Sequence, residues 1–130
     1  MIKAFDHVAI PIQKVDEMIT FYRALGCKVG DDFGKRLYSV NFGDNKINFH
    51  TPALWQSDRF SLRGPAAQPG CGDFCFVWGD SETALHDLLA QLKAEVEEGP
   101  VARVGGRSGG SSVYIRDPDQ NLLEFIVYPT

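Results

Sequence analysis

The sequence is poor in cysteine. Its three cysteines, Cys27, Cys71 and Cys75, are odd in number, and none belongs to a CxxC pair. These features argue against a disulfide framework and against a zinc site built from thiolates. We expect the three residues to be small core or cavity residues, with redox sensitivity as the alternative.

Long apolar runs and clusters of basic residues are also missing. No run approaches the ~18 apolar residues that a membrane span requires, and the N-terminus reaches a charged residue, Lys3, after two residues. The net charge is −4, and the 13 lysines and arginines are scattered along the chain, which argues against binding to nucleic acid. We therefore expect a cytoplasmic protein with neither a membrane nor a nucleic acid partner.

The remaining composition is that of an ordinary globular chain. With 44% hydrophobic and 23% charged residues, its 130 residues suffice for one compact domain. We expect a single domain over residues 1–130, with a first module at about 1–52, a linker at about 53–70 and a second module at about 71–130.

Hydrophobic periodicity predicts the same element order in both modules. In the first, we expect strands at 5–12, 27–29, 36–42 and 46–50 and a helix that Asp16 caps and Gly26 ends. In the second, strands at 73–78, 112–116 and 122–126 accompany a short strand from 96 and a helix capped by Asp80 or Ser81. We expect the stretch 97–110 to be a glycine-rich loop, within which residues 105–110 act as a mobile flap over the cavity. The predicted fold is α+β, with two tandem βαβββ modules, curved mixed sheets and helices outside.

Alternation within the strands predicts one apolar and one polar side for each sheet. Alignment of the modules places His7 on Asp73 and Asn48 on Glu124. Because side chains alternate across a strand, we expect the polar side to collect several oxygen and nitrogen donors: His7, Asn48, His50, Asp73, Cys75 and Glu124. Such a set suits a divalent cation, whereas Glu124 taken alone would more often be a solvent-exposed strand residue.

Three motifs carry a family resemblance. Residues 6–10 (DHVAI), 21–26 (FYRALG) and 116–124 (RDPDQNLLE) resemble the glyoxalase, bleomycin-resistance and extradiol-dioxygenase superfamily, also called vicinal oxygen chelate proteins. The resemblance spans nearly the whole chain. Residues 42–50, 73–76 and 98–103 are most similar to its subgroup of glyoxalase domain-containing protein 5 and virulence-protein-like members.

The resemblance implies a ligand on the first and on the last strand of each module. His7 and Glu124 have the usual residue types, and His50 is the expected third metal ligand, for a cation that is Zn, Ni, Mn or Fe. Asn48 stands where the family often has Glu, and Asp73 stands where it often has His. Asp73 is either a ligand or a carboxylate that orients a histidine. His86 is expected to be a surface residue.

The resemblance also implies a function and an assembly. We expect a metal-dependent lyase, isomerase or dioxygenase that acts on a small molecule with adjacent oxygens through enolate or oxyanion chemistry. Glu124 and Asp73 are the expected catalytic residues, and Asn48, Tyr114 and Arg103 are expected to bind the substrate. The alternative is a metal-free protein that binds or sequesters a small molecule or drug. Relatives with two modules pair, so we expect a homodimer.

Overall fold

The computed structural model describes residues 1–31 and 33–130, so Asp32 lies outside the described residues. The chain divides into two compact units, Met1–Cys71 and Gly72–Thr130. No helix in the part of the chain that the structure describes is long and apolar enough to cross a membrane.

The first unit contains a four-stranded mixed sheet. Its elements are β1 (Val8–Pro11), α1 (Val15–Ala24), β2 (Lys28–Asp31), β3 (Leu37–Phe42), β4 (Asn45–His50) and a short α2 (Pro52–Trp55). The strand order is β1-β4-β3-β2. Strand β1 is parallel to β4, and the other neighbours are antiparallel.

The second unit repeats this architecture. Its elements are β5 (Asp73–Val77), α3 (Glu82–Gln91), β6 (Glu98–Val104), β7 (Gly109–Arg116) and β8 (Leu122–Val127). The strand order is β5-β8-β7-β6, with β5 parallel to β8. The predicted α+β fold of two tandem βαβββ modules is therefore confirmed.

Strand register places the same positions of the two modules at equivalent points. In the first sheet, Asn48 pairs with Ala9 on one side and with Ser39 on the other. In the second, Glu124 pairs in the same way with Cys75 and Tyr114. Asn48 and Glu124 thus occupy matching positions, as the alignment of the modules predicts.

One side of each sheet is apolar and belongs to the core. In the first unit, Tyr22 of α1 meets Phe49 of β4 edge to face, with ring centroids 5.1 Å apart. Both side chains are almost fully buried, and burial of each stabilises the unit by roughly 1.5–3 kcal/mol. The corresponding core of the second unit consists of buried residues of α3, β7 and β8: Leu85, Leu89, Val113, Ile115, Leu123 and Phe125.

The predicted N-terminal cap is correct for one helix and wrong for the other. Helix α1 begins at Val15, and Lys14 at its N-cap makes no capping hydrogen bond, so Asp16 is not the cap. Asp16 instead lies in the first turn, where a negative charge interacts favourably with the helix dipole. At α3, the hydroxyl of Ser81 accepts a hydrogen bond from the amide of Ala84 at 3.1 Å, as expected of a cap.

The prediction of a loop over residues 97–110 is wrong. Strands β6 and β7 form an antiparallel hairpin there, with residues 105–108 between them. The register shifts between Glu98 and Val101, where Gly99 has φ 108° and an added Cβ would collide with the carbonyl oxygen of Ser112. Glycine at position 99 is therefore needed for the close approach of the two strands.

The cysteine prediction is also only partly correct. Cys71 and Cys75 are exposed, and Cys27 is partly buried, so two of the three are not core residues. Cys75 points to the polar side of its sheet because it alternates with Phe74 and Phe76 along β5.

Candidate functional site

The polar side of the first sheet, here called the first open face, carries Asn48 and His50. Both side chains project from β4 on the side opposite Ile47 and Phe49, since side chains alternate across a strand. His7 precedes β1, and its positive charge contributes to lowering the pKa of His50. Asn48 and His50 thus share one face of the first unit, and His7 lies near enough to His50 to affect its pKa.

Asn48 has an unusual environment. Its side chain is only 8% exposed, and its Oδ1 atom is buried without a hydrogen-bond partner in the described residues. The neighbour on β1, Ala9, has no polar side-chain atom to offer. A buried acceptor left in this state costs about 1–3 kcal/mol. The oxygen is available to a hydrogen-bond donor or a cation from outside the unit.

The environment of His50 favours its neutral form. Its ring packs edge to face against Phe60, with centroids 5.2 Å apart. Burial lowers the pKa of His50 most, and the positive charges of Arg63 and His7 lower it further. Neutral imidazole is the form that binds a metal, so this environment suits the predicted ligand role.

His7 has a carboxylate beside its ring. Its Nδ1 atom lies 2.6 Å from Oδ1 of Asp6, and the His7 side chain is about half exposed. A carboxylate that holds one ring nitrogen orients the imidazole and leaves the other nitrogen, Nε2, for a ligand. Sequence reasoning gave such an orienting role to Asp73 and missed Asp6, although Asp6 is adjacent to His7 in the chain.

The segment after β4 is fastened to the first unit. The indole Nε1 of Trp55 donates to the carbonyl oxygen of Ile12 at 2.9 Å. Arg63 lies over the Trp55 ring and donates hydrogen bonds to the carbonyl oxygens of Trp55 and Ala67. These contacts hold the Arg63 charge near His50.

The polar side of the second sheet, here called the second open face, is centred on Glu124. Its register neighbours are Cys75 on β5 and Tyr114 on β7. The hydroxyl of Ser112 donates a hydrogen bond of 2.7 Å to Oε2 of Glu124. Sequence reasoning missed Ser112, although its place two residues before Tyr114 on a strand puts both side chains on the same face.

The thiol of Cys75 belongs to the same cluster. The pKa of Cys75 is raised to about 11, first by desolvation, then by the charge of Glu124 and a hydrogen bond to it, and then by the charge of Asp73. Cys75 is therefore a neutral thiol at physiological pH. Its environment also shows that Asp73 and Glu124, the two predicted catalytic carboxylates, lie on the same open face.

Tyr114 and Arg103, both predicted to bind substrate, contact each other. Nε of Arg103 donates to the hydroxyl oxygen of Tyr114 at 3.0 Å, and the guanidinium lies 5.6 Å from the ring centroid. Another guanidinium nitrogen donates to Oε2 of Glu98 at 2.9 Å. Since the Tyr114 oxygen accepts from Arg103, its own hydrogen remains to be donated to a bound molecule.

The predicted metal ligands are divided between the units. His7 and His50 belong to the first unit, and Glu124 belongs to the second. Within residues 1–31 and 33–130, no group of three or more His, Cys, Asp and Glu side chains is arranged to hold a metal ion. His86 is exposed on α3, in agreement with its predicted surface position.

A cavity of about 800 Å³ lies in the second unit beside the β6–β7 hairpin. Its walls include apolar residues of the two strands and of the C-terminal segment: Ala102, Val104, Val127 and Pro129. Arg103 and Glu82 add one charge of each sign. The cavity is large enough for a small organic molecule.

Two curated relatives align along almost the whole chain. A glyoxalase domain-containing protein, RDO1 of Mycosarcoma maydis, is 36% identical over 127 residues, which are 98% of this chain and 69% of the relative. Virulence protein STM3117 of Salmonella typhimurium is 30% identical over 131 residues, with 98% of this chain and 86% of the relative covered. The crystal structure of STM3117 superposes with a TM-score of 0.87 and covers 99% of each chain.

More distant structures share the fold alone. A fosfomycin resistance protein of Listeria monocytogenes, crystallised with Mn(II), is 14% identical with a TM-score of 0.68, over 99% of this chain and 93% of that one. An antibiotic binding protein of a Streptomyces species is 18% identical with a TM-score of 0.73, over 99% of both chains. The family model that matches residues 4–125 is the Glyoxalase/Bleomycin resistance protein/Dioxygenase superfamily. The relatives and this match show that the chain belongs to that superfamily.

Proposed function

We propose that this protein is a metal-dependent enzyme that acts on a small molecule with adjacent oxygens, as a lyase, isomerase or dioxygenase. The cation, Zn, Ni, Mn or Fe, is bound by His7, His50 and Glu124. The observation that carries the proposal is the buried, unpartnered Oδ1 of Asn48 beside His50 on the first open face. Because a buried acceptor without a partner lowers stability, we infer that the Asn48 oxygen is retained to bind a ligand.

The donor set fits a divalent cation. Two imidazoles and a carboxylate form a mixed nitrogen and oxygen set that is common for Zn, Ni, Mn and Fe. His7 is oriented by Asp6, and the environment of His50 lowers its pKa, so both rings are suited to a ligand role.

Each remaining polar residue has a role in this proposal. A bound cation would polarise adjacent substrate oxygens and stabilise negative charge that develops on them. Asn48 accepts a hydrogen bond from the substrate, and Tyr114, held by Arg103, donates one. Asp73, exposed on β5, takes and returns the substrate proton together with Glu124.

The proposal is tested by titration of metal-stripped protein with Zn²⁺, Ni²⁺, Mn²⁺ and Fe²⁺ in a calorimeter under anaerobic conditions. Glu124→Gln keeps the side-chain size and removes the anion, so we expect it to weaken binding by at least about 100-fold, more than loss of an outer contact would. His86→Ala, on the exposed side of α3, is the control and should bind like wild type. Equal affinity of wild type and Glu124→Gln for every cation would contradict the proposal.

The cavity of the second unit favours a second candidate function, metal-free binding of a small molecule. Its apolar walls and the one charge of each sign would suit a drug-like ligand. Elemental analysis of the purified protein separates the two candidates. About one cation per chain supports the enzyme. Metal-free protein that still binds small molecules after chelation supports the sequestering protein.

We further propose that the protein is a cytoplasmic homodimer. Each sheet has two edge strands, β1 and β2 in the first and β5 and β6 in the second. Exposed edges present unpaired backbone groups that favour pairing with another chain. Light scattering at micromolar concentration should give twice the chain mass, and a monomer would contradict the dimer.

A further inference from the structure

Ser112 is completely buried, yet its hydroxyl contacts the central carboxylate of the second open face. Its exposed fraction is 0%, and its Oγ donates to Oε2 of Glu124 at 2.7 Å. This distance is typical of a hydrogen bond from a hydroxyl to an ionised carboxylate, which is among the stronger kinds in proteins. A buried serine in a sheet therefore has a specific partner on the polar side.

The contact is diagonal across the two strands. Tyr114 is the residue directly opposite Glu124 on β7, whereas Ser112 is opposite Ile126. Diagonal neighbours on one face of an antiparallel pair lie farther apart than directly opposed residues. Only a long side chain that leans along the strand can therefore contact its diagonal neighbour. Glu124 must lean toward Ser112 and away from its direct position beside Tyr114.

The opposite flank of Glu124 is also occupied. Cys75 is its register neighbour on the parallel strand β5, and the nearby charge of Glu124 contributes to raising the pKa of the Cys75 thiol. The carboxylate therefore lies between a hydroxyl on β7 and a thiol on β5. Of these two, the hydroxyl is the stronger donor and comes from a fully buried residue, whereas Cys75 is exposed.

We propose that Ser112 is a positioning residue for Glu124. By holding Oε2, its hydroxyl restricts the carboxylate to one direction and leaves the other oxygen for the cation. The inference rests on the proposed function, because it assigns Ser112 a role only if Glu124 is a ligand. A ligand held in place before binding loses less conformational freedom when the metal binds, so affinity is higher.

The experiment is a calorimetric titration of metal-stripped variants with Zn²⁺ and Mn²⁺. We expect Ser112→Ala to weaken binding by about 10–100-fold, the usual effect of removing an outer hydrogen bond to a ligand. Ser112→Thr keeps the hydroxyl and should restore most of the affinity. Ser111→Ala, one residue earlier on the opposite side of β7, is the matched control and should bind like wild type.

A double-mutant cycle separates positioning from a general structural effect. In the Glu124→Gln background, Ser112→Ala should cause little further loss, since its effect passes through the carboxylate. An equal loss in both backgrounds, or wild-type affinity of Ser112→Ala while Glu124→Gln has lost binding, overturns the role of Ser112 alone. Wild-type affinity of Glu124→Gln overturns the proposed function and this inference with it.

Folding of the variants is checked by thermal melting without metal. If Ser112→Ala does not fold, Ser112→Cys provides the same test, because it retains the size of the side chain with a much weaker donor. We then expect Ser112→Cys to bind weakly and Ser112→Thr to bind well. Equal affinity of Ser112→Cys and wild type would overturn the proposal.

Discussion

The two open faces have the same geometry but supply different partners to their central residue. Asn48 and Glu124 occupy matching positions, each between a neighbour on a parallel strand and a neighbour on an antiparallel one. Glu124 has Ser112 at 2.7 Å and the thiol of Cys75 on its flanks. Asn48 Oδ1 has no partner in the described residues. The same strand arrangement therefore gives the carboxylate oxygen of Glu124 a hydrogen-bond donor in the second unit and gives the amide oxygen of Asn48 none among the described residues of the first.

This difference follows from burial and charge. A carboxylate on a half-buried strand needs donors nearby, because an unpaired charge is more costly to bury than an unpaired amide. A neutral amide oxygen can remain without a partner at a smaller cost, and a ligand that later supplies a donor recovers that cost. We infer that the second open face is built before ligand binding and that the first is completed by the ligand.

The largest expected effect distinguishes a satisfied buried asparagine from an unsatisfied one. Asn121 is 0% exposed; its Nδ2 donates to Asp117 at 2.8 Å, and its Oδ1 accepts from the amide of Gly72 at 2.7 Å. Asn121→Leu removes both bonds and takes a donor from a buried carboxylate. We expect a loss of about 3 kcal/mol or more in the free energy of unfolding, measured with urea. An unchanged urea midpoint would show that the hydrogen bonds of Asn121 to Asp117 and Gly72 do not stabilise the folded protein.

The next effect concerns the thiol on the second open face. Because the pKa of Cys75 is raised to about 11, mainly by desolvation and Glu124, little of it is thiolate at pH 8. We expect iodoacetamide to modify Cys75 at least about tenfold more slowly than the exposed Cys71, since the thiolate is the reactive form. Mass spectrometry of the two peptides measures both rates in one sample.

Glu124→Gln should bring the two rates closer, because it removes the negative charge beside the thiol. Asp80→Asn is a control, since it removes an exposed carboxylate outside β5 and should leave the ratio unchanged. Equal rates in wild type would mean that the cluster around Glu124 does not hold Cys75 in its neutral form.

The third prediction has the opposite sign to the first. Asn48→Leu replaces an unpartnered buried amide with an apolar group of similar size, so we expect the metal-free protein to gain about 1 kcal/mol of stability. The gain should be accompanied by weaker substrate binding, as stability and function conflict at such positions. A loss of stability as large as that of Asn121→Leu would show that Asn48 is satisfied in solution and would remove the difference between the two faces.

Sequence patterns predicted which residues share a face because that depends only on strand parity. Asn48 and His50 alternate with Ile47 and Phe49, so the assignment needs no knowledge of neighbouring strands. The partners on each face could not be predicted in the same way. That Asn48 lacks a donor and Glu124 has one in Ser112 depends on register and side-chain rotamers, which local periodicity does not determine.

Strand β6 shows a different limit. Residues 98–104 and the glycines after them have the composition of a loop, and their pairing with β7 depends on close contacts that only glycine permits. Composition alone therefore predicted a loop where the sheet has its edge strand. The alternation of side chains predicted β7 from the sequence. It did not predict that β6 pairs with the edge of β7 opposite β8.

The smallest expected effect tests the charge environment of the first open face. The pKa of His50 is lowered from 6.5 by burial and then by Arg63 and His7, so the folded protein binds this proton less tightly than the unfolded chain does. As the pH falls through 6.5, protonation favours the unfolded chain, and stability decreases until the pH is below the lowered pKa of the folded state. We expect metal-free wild type to lose more stability than His50→Gln between about pH 7 and pH 5, the range in which histidines titrate. His86→Gln, which changes an exposed histidine on α3, should follow the wild-type curve. Urea unfolding at each pH measures the difference, and parallel curves for wild type and His50→Gln would show that the positive charges near His50 are too well screened to affect it.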